Sequence, residues 1–180
     1  EQKFDLSKKK YEQIILLDPQ NLQSYNNLGL IHKKFGDLDK SIYFFKKALE
    51  IDPYYQNAYN NIGIVLLEKG YFLDAIENFK KLIKINPNQF AAHCNLGLCY
   101  EKINEIEKAI NMYKMVPAED KNNLNAQYNL GLLYFKIKQY EKTIKVFKNI
   151  NFKKSQSYLL KSFYELKNIE KLSKRLDIEI

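Results

Sequence analysis

Apolar residues recur along this chain at helical spacing, and the helical stretches themselves recur. Over 22–35 the apolar positions fall three and four residues apart, and they do so again over 38–51. Gly36-Asp37 breaks the pattern between the two stretches. Gly70 breaks it in the same way one pair later, and Pro53 and Pro87 close the second stretch of each pair. The pattern predicts helical hairpins in series and no strands.

The hairpins share one period. Asn27-Leu28-Gly29, Asn61-Ile62-Gly63, Asn95-Leu96-Gly97 and Asn129-Leu130-Gly131 place their glycines 34 residues apart. Phe45, Phe79, Tyr113 and Phe147 follow the glycines by 16 positions, and Ile42, Ile76, Ile110 and Ile144 by 13. A small residue precedes each of those isoleucines: Ser41, Ala75, Ala109 and Thr143. A glycine inside a helix costs about 1 kcal/mol relative to alanine. Its return at a fixed period predicts a packing purpose, the close approach of a partner helix.

These columns resemble the tetratricopeptide repeat family, whose 34-residue signature runs Trp-x-x-Leu-Gly-x-x-Tyr, then Ala-x-x-x-Phe, then Pro. The tryptophan column holds Tyr25, Tyr59, His93 and Gln127, and the tyrosine column holds His32, Leu66, Tyr100 and Tyr134. The resemblance implies an all-α fold, a right-handed superhelical solenoid of stacked helix-turn-helix units. The units fall at 22–55, 56–89, 90–123 and 124–157. Residues 1–21 carry Phe4, Ser7, Tyr11, Ile14 and Pro19 in second-helix columns with no first helix before them, so a longer array continuing upstream is expected. Pro117 should end its helix early. Segments 155–167 and 170–176 read as a shortened, divergent unit, with 158–180 as a C-terminal cap and Leu160 in the glycine column.

The resemblance also implies that first helices line a concave groove and that the function is protein–protein interaction. Within each 34-residue unit, places 4, 7, 8 and 11 form the buried face, and places 2, 5, 6, 9, 12 and 13 lie opposite. Place 6 is always asparagine, at Asn27, Asn61, Asn95 and Asn129, and place 9 is always aliphatic, at Leu30, Ile64, Leu98 and Leu132. Asn26, Asn57, Asn60, Asn125 and Tyr128 stand around them. An amide both donates and accepts, so this ladder is suited to pair with the backbone of an extended peptide, and the family resemblance implies the same use. The alternative is a structural column fixed by packing between neighbouring repeats or inherited by duplication, in a chain with 19 asparagines. A grip on a C-terminal carboxylate would need lysine at places 2 and 5, and the chain has Gln23, Asn26, Asn57, Asn60, Ala91, Cys94, Asn125 and Tyr128 there. A carboxylate-clamp ligand is therefore not expected.

Composition narrows the remaining classes. Twenty-nine Lys and Arg against 21 Asp and Glu give a net charge of +8, almost all of it lysine. The lysines read as a solvated outer surface; the arginine and aromatic pattern of specific nucleic-acid readout is missing. Cys94 and Cys99 sit five apart on a helix, about 140° round, with His93 near and no fourth ligand in step, so no metal site is expected. No cofactor motif, phosphate loop or nucleophile elbow is present, which predicts a non-enzyme. No apolar run nears the roughly 18 residues of a membrane span, and an intracellular, cytoplasmic setting is expected. A second functional class stays open: a substrate-selecting or targeting arm of a larger enzyme. The central repeats resemble arrays of protein glycosyltransferases, and of ciliary transport and ubiquitin-ligase subunits.

Overall fold

A computed structural model describes residues 2–120, 122–150 and 155–176, with side chains described from residue 4 to 169 within those ranges. The chain divides into two compact units, Glu1–Asn104 and Glu105–Ile180. All ten helices of the described residues are α-helices, and no strand occurs among them.

The first unit holds α1 (Gln2–Leu17), α2 (Leu22–Lys34), α3 (Leu38–Ile51), α4 (Gln56–Glu68), α5 (Phe72–Ile85) and α6 (Phe90–Lys102). Each helix packs on the next, and α2, α4 and α6 also stand beside one another. Local chemistry sets the boundaries. Asn21 caps α2 by accepting from the Ser24 N–H at 3.0 Å, and Asp37 caps α3 through the Lys40 N–H. Gly36 and Gly70 end α2 and α4 at φ 79° and 80°. At each, two crossed backbone bonds close the last turn, Asp37 N to His32 O and Gly36 N to Lys33 O in the first case. Asn104 repeats this left-handed conformation after α6 at φ 61°.

The interior explains the period. Phe45, Phe79, Ala58, Ala75, Ala92 and Val65 are wholly buried. A Cβ built on Gly63 would lie 2.7 Å from the Phe79 ring, so the column needs glycine for contact between α4 and α5. Gly29 meets Phe45 in the same way, and its carbonyl accepts the buried Ser41 hydroxyl at 2.8 Å. The small residue at that column thus lets the second helix approach and, in this hairpin, satisfies a polar group.

The second unit holds α7 (Ile106–Lys114), α8 (Asn123–Lys136), α9 (Tyr140–Lys148) and α10 (Gln156–Leu176). α7 stops at nine residues, shortly before Pro117, as the sequence predicts. Gly131 admits the Phe147 ring between α8 and α9. Lys138 takes the left-handed turn position at φ 61°, where the first unit uses Gly36 and Gly70. The end differs from expectation: α10 is one 21-residue helix rather than two segments. Neither glycine nor proline stands between 167 and 170 to break it. Leu160 is 70% exposed, so no close helix approach demands a glycine there. Tyr158 holds the helix instead, its ring 5.3 Å from Phe135 and 6.2 Å from Phe147.

Candidate binding surface on the first helices

A helix turns about 100° per residue, so a first helix packed on second helices at both sides buries a broad sector. Places 7, 8 and 11 are buried in every unit, as expected, whereas place 4 is buried only at His93, with Tyr25, Tyr59 and Gln127 half-buried because they lie at the margin of the packed sector. The sector also takes in place 3 (Ser24, Ala58, Ala92, Ala126) and place 10 (Ile31, Val65, Cys99, Leu133). What stays open is narrower than the sequence predicted.

In the first unit, Leu30 is 42% exposed, Asn57 is exposed, and Asn27, Asn60, Asn61, Ile64, Asn95 and Leu98 are half-buried. Asn26, expected on the open face, is only 7% exposed. Places 5 and 6 lie at opposite margins of that face, so place 6 of one first helix meets place 5 of its neighbour. The Asn61 amide accordingly donates from Nδ2 to Asn26 Oδ1 at 3.0 Å. One repeat later Asn60 takes the place of Asn26; its Oδ1 is buried but accepts no hydrogen bond. The Asn95 amide is therefore not committed as the Asn61 amide is. At place 2, Gln23 and Asn57 are linked through the Tyr55 hydroxyl, which the Asn57 amide reaches at 3.3 Å.

Lys33 pairs with Glu68 at 2.8 Å between α2 and α4, and Lys34 lies 3.7 Å over the Phe4 ring. His32 is buried beneath, stacked on Phe44 and 3.5 Å from Asp37. Burial pushes its pKa below the ordinary 6.5, with Lys8 and Lys40 acting in the same direction and Asp37 against them. In the second unit Asn125 is exposed, Asn129 and Leu132 are half-buried, and the half-buried Tyr128 ring lies 6.0 Å from Phe147.

Two polar features escaped the sequence reading. The Tyr59 hydroxyl donates to the Pro53 carbonyl at 3.1 Å. His93, 34 residues on, reaches the Pro87 carbonyl from Nε2 at 2.9 Å, so it serves as the polar tip of the same column. A carbonyl only accepts, which fixes the proton on Nε2 and leaves Nδ1 buried without a partner. Both pairs span six residues, and their common offset was the available signal. Cys99 is buried, and desolvation pushes its thiol up to about 12, so it stays protonated and unreactive. Among the described residues no group of three His, Cys, Asp or Glu side chains is placed to hold a metal ion, and no helix is long and apolar enough to cross a membrane.

Comparison with known proteins agrees with this fold. Family models described as tetratricopeptide repeat match residues 23–55 and 125–151, and one described as TPR repeat matches 65–104. No curated protein matches the sequence. Among solved structures, a crystal structure of MamA protein superposes with a TM-score of 0.73 at 22% identity, covering 99% of this chain and 88% of that one. MamA 41-end from Desulfovibrio magneticus RS-1 gives 0.74 at 18% identity, covering 88% and 86%. These likenesses concern the fold.

Proposed function

The chain belongs to the tetratricopeptide repeat family, a family of protein-interaction scaffolds, and from that premise we propose that it holds an extended segment of a partner protein. The segment lies on the open face of α2, α4 and α6. The observation that carries this reading is the aliphatic line of Leu30, Ile64 and Leu98, left partly accessible beside amides. Asn95 and Asn27 are the amides available to a ligand backbone, because Asn61 is engaged by Asn26. Packed helices stand roughly 8–10 Å apart, and an extended peptide rises about 3.3 Å per residue. Successive first helices would then meet the ligand near every third residue. A helical ligand has its peptide groups already paired and leaves the amides little to hold.

The pairing of Lys33 with Glu68 leaves few free charges beside the aliphatic line, and the open places supply no lysine pair for a terminal carboxylate. No catalytic step, cofactor or nucleic acid enters this proposal, and the setting it assumes is the cytoplasm. The four repeats and the terminal segments at 1–21 and 158–180 remain the proposed organisation of the array. The test is selection of a displayed random peptide library on the chain, followed by calorimetry of the selected peptides. Asn95→Ala should weaken binding about 2- to 12-fold, the equivalent of one hydrogen bond, and Ile64→Asp should abolish it. Selected peptides that bind both variants as well as the parent would overturn the proposal.

A further inference from the structure

The repeats of the first unit carry a second kind of pocket, away from the first-helix face, and comparing its copies reveals a difference in charge. Pro19, Gln20, Tyr25, Lys47, Glu50 and Ile51 line one copy, with others from α1 to α3. Pro53, Tyr54, Tyr59, Lys81, Lys84 and Ile85 line the next, each residue 34 positions on. In the first copy Lys47 is held by Glu50 at 2.6 Å. In the second, Lys84 stands where Glu50 stood, so two lysines face the pocket and, among the described residues, no ion pair holds either one. Tyr54, in place of Gln20, adds an aromatic ring that is 73% exposed. The third copy has Asn88, His93, Met115 and Ala118 at the matching sequence positions, with neither lysine kept.

The second pocket is an open depression on the surface. Its volume is about 390 Å³, within the range of ordinary ligand sites. The Tyr59 hydroxyl is tied to the Pro53 carbonyl at 3.1 Å, and Lys81 Nζ sits 6.0 Å from the centre of that ring. The Tyr54 N–H is held by the Asp52 carboxylate at 2.9 Å, which fixes the turn carrying the exposed ring. Two tyrosines, a proline and an isoleucine thus make an apolar seat with two ammonium groups at its edge, neither in an ion pair among the described residues, Lys81 also lining an adjoining pocket with Asp74 and Glu77.

We infer that this pocket docks an acidic segment of a partner protein, with an aromatic or large aliphatic side chain between Tyr54 and Tyr59 and flanking carboxylates on Lys81 and Lys84. The charges are complementary, and carboxylates would give the lysines the counter-charge that Glu50 gives Lys47 in the neighbouring repeat. The site is distinct from the first-helix face and does not depend on the function proposed there.

The repeat comparison supplies the test. The probe is a fluorescein-labelled peptide with one phenylalanine between pairs of glutamates, read by fluorescence anisotropy on the full chain. Its control is the same peptide with glutamine for each glutamate. The acidic peptide should bind at least about tenfold more tightly than the control. Lys84→Glu, which gives this repeat the charge pattern of its upstream neighbour, should remove that preference, and Tyr54→Ala should weaken the acidic peptide by a similar factor. Both positions are exposed, and circular dichroism would verify that the variants fold. Equal binding of the two peptides, or binding indifferent to Lys84→Glu, would overturn the inference. So would a single-stranded oligonucleotide of equal charge that bound as tightly and competed with the peptide.

Discussion

Gly63 and Phe79 are in contact across α4 and α5, with the ring 2.7 Å from where a Cβ on Gly63 would lie. Phe79 is completely buried and has nowhere to retreat. Two effects compete in Gly63→Ala: alanine gains about 1 kcal/mol of helix propensity, while overpacking costs about 1–3 kcal/mol. The clash should win, with a net loss of up to about 2 kcal/mol in urea unfolding, and Gly63→Leu should cost more. An alanine variant more stable than the parent would show that the column is not there for helix approach.

Asn26 and Asn61 should behave as a coupled pair. Asn61→Ala leaves the buried Asn26 oxygen without its donor and should cost about 1–3 kcal/mol. Asn95→Ala breaks no such bond and should leave stability nearly unchanged. A double-mutant cycle over Asn26 and Asn61 measures the coupling directly. Zero coupling energy would place the asparagine column back among purely ligand-facing residues.

Acid should weaken the first unit through His32. Its folded pKa lies below the ordinary 6.5, chiefly because the ring is buried, so the unfolded chain binds the proton more readily. The stability associated with the neutral ring is complete above pH 6.5 and is lost as pH falls from there through the folded value. Thermal melts across that window should drop for the parent and stay flatter for His32→Phe, which keeps the stack on Phe44. Parallel curves for the two proteins would count against His32 as the source.

Lys138 should be improvable. It occupies the left-handed position that Gly36 and Gly70 fill elsewhere, at a cost of roughly 1–2 kcal/mol for a residue with a Cβ. Glycine loses more entropy on folding, by about 0.5–1 kcal/mol. Lys138→Gly should therefore stabilise the second unit by about 0.5–1 kcal/mol, seen as a higher urea midpoint. A lower midpoint would mean that the lysine side chain contributes contacts worth more than the strain.

The 34-residue period by itself determined the repeated helical hairpins, their turns and the glycine column that allows close helix approach. Those relations are local, fixed by helical angle and by residues that break or cap a helix; that Phe45 is the ring Gly29 admits follows from the packing of α2 on α3. Tertiary structure decided which polar groups remain for a partner. Within one helix Asn26 and Asn61 look alike, both away from the apolar stripe. Only the neighbouring first helix, beginning some 30 residues later, turns Asn26 inward and occupies the Asn61 amide. By contrast, the Lys47–Glu50 pair lies three residues apart on one helix, so its replacement by Lys81 and Lys84 one period later is legible in the sequence. A sequence gives the angle of a side chain around its own helix; whether another helix covers that angle is settled only when the helices pack.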